Sequence, residues 1–145
     1  MGCPCVERCY WRCRLRQSTY QFTPKYQPPM RWGKVVKVYD GDTVHLAFLE
    51  RGQIVRHPLR LLGYDCAEMR AKGTAERQLA RRSKARLEEL LQGRVLELLA
   101  PVRWDKYGRL LADARLPGVP SVCAWMLEHG EAVKYDGGTK TQWPA

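Results

Sequence analysis

The hydrophobic period of this chain switches from two to about 3.6 and back, which limits the folds open to it. Residues 34 to 40 (KVVKVYD) and 43 to 49 (TVHLAFL) are rich in Val, Leu, Tyr and Phe and flank the turn pair Asp40-Gly41, as two strands or one bent strand would. Strand character resumes at 54 to 63 (IVRHPLRLLG) after the turn Glu50-Arg51-Gly52-Gln53, with Pro58 placing that strand at an edge or a bulge. The period then lengthens. From 74 to 92, Leu79, Ser83, Leu87 and Leu90 or Leu91 fall on one helical stripe, with Thr74 as the expected N-cap and Gly93 as the stop. Two more strand-like runs follow, VLELLAPV (95 to 102) and LLADARL (110 to 116). The turn Asp105-Lys106-Tyr107-Gly108 makes them a hairpin. A short helix from about Ser121 to His129, ended by Gly130, sets Val122, Trp125 and Met126 toward the core. Three strands, a helix, two strands and a helix predict an α+β fold: a five-stranded OB-type β-barrel with two or three packed helices, plus a cysteine-rich N-terminal arm.

With 145 residues the chain can bury one core, so one domain with an appendage is expected. The prolines at 24, 28 and 29 suit an extended, non-helical arm. The boundary falls near Gly33, giving an arm over 1–33 and a domain over 34–145. Charge is concentrated in two zones. Residues 1 to 33 hold six Lys/Arg against one Glu, and residues 70 to 86 hold seven against one, whereas the rest is close to neutral. Clustered cations on a near-neutral body fit a polyanion, whose condensed counterions they release; a solvated basic helix face is the plainer alternative. No apolar run approaches the roughly 18 residues of a membrane span. The first residues lack the apolar stretch of a secretory signal, so an intracellular or virion-associated setting is the expectation.

Several charged residues sit where strands end, and in a barrel the strand ends and the loops beyond them form the ligand-binding surface. Asp42 follows Asp40-Gly41, Asp65 and Glu68 follow LRLLGY, Arg60 lies in the strand leading to Asp65, and Arg109 closes the turn DKYGR. Phosphodiester hydrolysis needs a hard cation held by carboxylates, a base for water and positive groups on the non-bridging oxygens. Two Asp, one Glu and two Arg supply all three. Each could equally be a turn former or a surface ion-pair partner, and spacing alone does not choose.

The segments VVKVYDGDTVHL, RLLGYDCAEMR and DKYGR, in that order, resemble the staphylococcal nuclease (thermonuclease) family over residues 34 to 138. The resemblance implies a calcium-dependent endonuclease acting on DNA or RNA with little sequence preference and leaving 3′-phosphorylated products. It implies Asp42 and Asp65 as side-chain ligands of one calcium ion, joined by the backbone carbonyl of Cys66. Glu68 falls at the position of the base that activates water, and Arg60 and Arg109 at the two arginines that grip the phosphate. Lys106 and Tyr107 match contacts to a neighbouring phosphate, and Tyr135 lies near the base-stacking tyrosines. The sequence departs from the family at Cys66-Ala67, where Thr-Pro is usual. It also ends soon after Tyr135, where secreted bacterial members continue into a packed helix. The arm, with Tyr20, Phe22, Tyr26, Met30 and Trp32, is the expected cover for that surface.

Cys3, Cys5, Cys9 and Cys13 crowd the arm. Four close cysteines are candidate ligands for tetrahedral zinc, although the spacing is unlike common fingers; disulfides or free thiols are the alternatives. Met1-Gly2-Cys3 resembles the start of acylated proteins, and the arginines beside it would suit phosphate backbones or an acidic membrane. Docking to a protein or a membrane through the arm is therefore open. A non-catalytic nucleic-acid-binding module, or a virion assembly component, on the same fold is the competing reading to the nuclease.

Overall fold

The computed structural model describes residues 4–140, 142 and 143, with side chains from Val6 onward. The domain is α+β. In chain order its elements are helix α1 (Pro4–Arg16), strands β1 (Trp32–Val38), β2 (Thr43–Glu50), β3 (Gln53–Leu61) and β4 (Tyr64–Asp65), helix α2 (Thr74–Leu91), strands β5 (Val95–Leu98), β6 (Arg103–Trp104), β7 (Leu110–Ala112) and β8 (Ala114–Arg115), helix α3 (Val122–His129), and strand β9 (Val133–Lys134). Seven strands form one mixed sheet in the order β6-β7-β3-β2-β1-β5-β8, while β4 and β9 pair separately. The sheet curls into a half-barrel because β7 lies parallel to β3 and β8 antiparallel to β5, with only Asp113 between β7 and β8.

Strand count is where the fold departs from expectation: nine short strands stand in place of five. Of the run at 95 to 102 only Val95–Leu98 is strand; pairing stops before Ala100-Pro101, where proline offers no ladder N–H, and β6 begins beyond the run at Arg103. The run at 110 to 116 breaks at Asp113, whose Oδ1 accepts from the backbone of Ala114 and Cys123 and whose Oδ2 accepts from the Ser121 hydroxyl, which in turn caps α3. The expected hairpin survives across these breaks, since β6 pairs with β7 and β5 with β8. Pro58 also sits as expected, opposite His45, in the part of β3 that has no second neighbour until Leu59 meets Leu110.

The core is apolar and continuous. Val35, Val44, Leu46, Leu59, Leu61, Leu96 and Leu110 line the inside of the sheet, and Leu87, Leu91, Val122 and Met126 close it from α2 and α3. The buried stripe of α2 is Ala80, Ser83, Leu87 and Leu91, whereas Leu79 and Leu90 are only half-buried. Small residues at 80 and 83 let the helix approach the β1–β2 loop, turning its face by one position. Thr74 is not the N-cap. Gly73 holds that place without a side-chain bond, and the Thr74 hydroxyl accepts from Arg77 instead. Gly93, at φ 77°, ends the helix as expected.

The arm differs most from expectation. Pro4–Arg16 is helical, with Pro4 at the position where a missing N–H is harmless, Glu7 in the first turn, and Arg14 and Arg16 in the last. Val6, Cys9, Tyr10 and Cys13 fall on one helical stripe, yet that stripe covers nothing: every residue from Val6 to Gln27 is exposed. The arm therefore does not cover the domain. Tyr20, Phe22 and Tyr26 lie in solvent and Trp32 is exposed, leaving Pro28 and Met30 to reach the body. Among the described residues, no helix is long and apolar enough to cross a membrane.

Candidate active site

The β1–β2 loop is held from below by close packing. A Cβ on Gly41 would lie 2.9 Å from side-chain atoms of both Cys66 and Ser83, so no larger residue fits without displacing the loop or α2. Fully buried Tyr64 donates its hydroxyl to the Gly41 carbonyl at 2.9 Å, fastening β4 under the loop. Asp40 Oδ1 accepts from the backbone N–H of Asp42 at 3.2 Å and sets the turn. These contacts bring Asp42 and Asp65 to the same place from different parts of the chain.

Between them lies Arg60, opposite Thr43 in the β2–β3 register. Its Nη1 is 3.0 Å from Asp42 Oδ2 and its Nη2 is 3.0 Å from Asp65 Oδ1. The guanidinium also donates to the carbonyls of Leu61 and Tyr64. Burial pushes the Asp42 carboxyl up to about 7, with Arg60 pulling it down and Asp40 adding to the rise. A carboxylate so enclosed is stabilised by positive charge beside it.

Arg109 is set by its own turn. Asp105 Oδ1 accepts the N–H groups of Tyr107 and Arg109 at 2.8 and 2.9 Å, and Oδ2 accepts Arg109 Nε at 2.6 Å. Burial alone would raise the Asp105 carboxyl, yet these donors hold it below its ordinary value. From there Arg109 Nη1 reaches the Thr43 hydroxyl at 3.3 Å, which donates to Asp42 Oδ1 at 2.8 Å. A polar chain thus links Asp105, Arg109, Thr43 and Asp42.

Glu68 stands at the rim, 58 % exposed, with its carboxylate on Lys140 Nζ. That bond raises the Lys140 pKa. Lys106 Nζ and Arg109 Cζ lie 5.1 and 5.6 Å from the exposed Tyr107 ring. Tyr135 is tied beside β4 by its N–H to the Gly63 carbonyl at 3.1 Å, and its hydroxyl donates to Gly138. Asp42, Arg60, Asp65, Cys66, Glu68, Lys106, Tyr107, Arg109 and Tyr135 all line one open cleft of about 720 Å³. Every residue expected of the domain's site is therefore brought together. Sequence reasoning missed Tyr39, Thr43, Tyr64 and Lys140, and took Asp105 only as a turn former. Asp105 had a signal in the DKYGR turn itself, whereas nothing local marks Lys140, which lies 72 residues from Glu68.

The donor set suits a hard cation. Asp42 and Asp65 converge on one positive group, the Arg60 guanidinium, and the nearby donors are oxygens. The Cys66 thiol turns to the Gly41 carbonyl at 3.5 Å and burial pushes it up to about 12, so the chemistry left to that residue is its backbone oxygen. Calcium takes six to eight oxygens, carbonyls and waters among them, and two carboxylates at one point fit it. Among the described residues no three His, Cys, Asp or Glu side chains converge as a ready-made cage. In the arm, Cys9 and Cys13 are exposed free thiols one helical turn apart; Cys3 and the side chain of Cys5 lie outside the described residues. Compared with known proteins, the chain matches no family model, and no curated protein sequence matches it.

Proposed function

We propose that the chain is a calcium-dependent phosphodiesterase of the staphylococcal nuclease type, cleaving DNA or RNA endonucleolytically with little sequence preference. The observation that carries this reading is the meeting of Asp42 and Asp65 on one cationic position, with Arg60, Arg109 and Glu68 in the same cleft. Within the seven-stranded sheet, taking β5 with β6 and β7 with β8 as single bent strands leaves five, apart from the β4–β9 pair, which supports reading the curled sheet as an OB-type barrel.

In this reading Asp42 and Asp65 would hold calcium, and the Cys66 carbonyl would offer a third oxygen. Calcium, when bound, supplies charge against a non-bridging phosphate oxygen. Glu68 accepts a proton from the attacking water as its oxygen bonds to phosphorus, and the bond to the 5′-oxygen breaks, that oxygen taking a proton from solvent while the phosphate stays on the 3′ side. Arg60 and Arg109 donate to oxygens on which negative charge builds, and their planar guanidinium groups can do so bidentately. Lys106 and Tyr107 serve the adjoining phosphate, and Tyr135 offers its ring to a base.

Plasmid DNA and RNA, incubated with calcium, magnesium or chelator, test the reading. Calcium-dependent cleavage is expected, with Glu68→Gln and Arg109→Ala each slower by at least about 100-fold. Normal cutting by either variant would remove the assigned role. The alternative, a non-catalytic nucleic-acid-binding module, is favoured by one observation: each of the three acids already has a cationic partner, Arg60 for Asp42 and Asp65 and Lys140 for Glu68. Binding without calcium-dependent cleavage at any salt concentration would establish that alternative.

A further inference from the structure

Outside the cleft, the outer face of the sheet carries cations and aromatic rings that the proposed chemistry does not use. Lys37 lies opposite His45 and Lys34 opposite Ala47 in the β1–β2 pairing; His45 lies opposite Pro58 and Ala47 opposite Arg56 in the β2–β3 pairing. Residues directly opposite share a face, so Lys34, Lys37, His45 and Arg56 stand together, away from buried Val44, Leu46 and Phe48. In a regular strand residues 34 and 37 would lie on opposite faces. The bulge between Val35 and Lys37 turns both lysines outward while Val35 and Val38 stay buried.

Along this face the next pair is Thr43 with Arg60, at the cleft. The four residues from there to Ala47 and Arg56 span about 13 Å of strand. Tyr39 marks the junction, since it lines the cleft and its ring centroid is 6.3 Å from that of His45, tilted by 48°. Ala47 and Pro58 keep the surface between the cations low. Lys34, Lys37 and Arg56 have no acidic partner among the described residues. Burial, and after it the charges of Arg56 and Lys37, lower the His45 pKa, so its ring is a neutral aromatic at neutral pH.

We propose that this face is a binding track for single-stranded nucleic acid, continuing the cleft. An unpaired base stacks at Tyr39 and His45, and Lys37, Arg56 and Lys34 take the following phosphates. Unpaired cations fit the backbone charge, and the exposed Tyr39 ring beside the partly exposed His45 ring fits bases that a duplex would keep stacked on one another. The inference rests on reading the cleft as the place where a phosphodiester chain is held.

Fluorescein-labelled oligothymidylates of about four and about twelve nucleotides, spanning the usual site sizes for such surfaces, probe the full chain in chelator. The longer strand is expected to bind more tightly. Combining Lys37→Ala with Arg56→Ala should abolish that advantage and reduce the slope of log affinity against log salt by about 1.4. His45→Ala should weaken the longer strand by about tenfold and leave the shorter one unchanged. The exchanged lysine and arginine are exposed, so folding is not at stake. No length advantage in the parent chain, or equal losses for both lengths in the variants, would overturn the track. A duplex with the same advantage and the same sensitivity would overturn the single-strand assignment. Length-dependent binding without calcium-dependent cleavage would instead sink the phosphodiesterase reading and leave the track standing.

Discussion

At the level of single residues, the site is defined by where charge is forced out of water. Asp42 binds its proton more tightly folded than unfolded between pH 3.8 and about 7. The sign follows: its contribution to stability is present below the unfolded value and is lost as pH rises through about 7. The linkage limit of about 1.4 kcal/mol per pH unit makes that loss on the order of 4 kcal/mol. Thermal melts in chelator should therefore fall between pH 4 and 8 more steeply for the parent than for Asp42→Asn, and calcium should raise the melting temperature more at pH 8 than at pH 5. Identical profiles in parent and variant would exclude Asp42 as the cause. Gly41 is the second sensitive residue. Gly41→Ala adds a methyl 2.9 Å from Cys66 and Ser83, and a loss of about 1–3 kcal/mol in denaturant unfolding is expected, as for an overpacked core. Both residues stood out in the sequence, Asp42 as a strand-end acid and Gly41 as part of a turn. The reason Gly41 must be glycine was not legible, because Cys66 and Ser83 reach it from 25 residues or more away.

Among the elements, β4 contributes most to the site for its size. It has two residues, yet Tyr64 fixes the β1–β2 loop from below while Asp65 faces Arg60. Tyr64→Phe leaves the buried Gly41 carbonyl with only the weak Cys66 thiol as donor, and a loss of about 1–3 kcal/mol is expected. The same variant should weaken calcium binding, measured by titration calorimetry, because the Asp42 and Asp65 loops are no longer fastened; unchanged affinity would show that the loops hold without this bond. The longer elements were readable in the sequence, since β1, β2, β3 and α2 carry strong periods. Helix α1 was overlooked, although Val6, Cys9, Tyr10 and Cys13 recur at helical spacing, because the prolines at 24, 28 and 29 set an extended expectation for the whole arm. The bulge at Val36 was equally hidden, and it decides which way Lys37 points.

For the molecule as a whole, the domain and the arm answer to different forces. The curled sheet is held by a continuous apolar core, and residues 6–27 of the arm contribute nothing buried. A chain beginning at Pro28 should therefore melt within about 2 °C of the full-length protein in differential scanning calorimetry. That follows because surface changes touching no such feature stay within about 0.5 kcal/mol. A drop of 5 °C or more would mean that the arm does pack on the domain. Any effect of the truncation should appear instead in binding to polyanions, since the arm carries Arg8, Arg12, Arg14 and Arg16 in the open.

The sequence by itself determined the period of each long element, the turn residues between them and the types of side chain available for chemistry, because these depend on neighbours a few positions away. Tertiary structure alone decided that Arg60 bridges Asp42 and Asp65, that Lys140 meets Glu68, that Asp105 aims Arg109, and that residues 6–27 of the arm stand exposed. Those are matters of which distant groups exclude water from one another, and no local pattern records them.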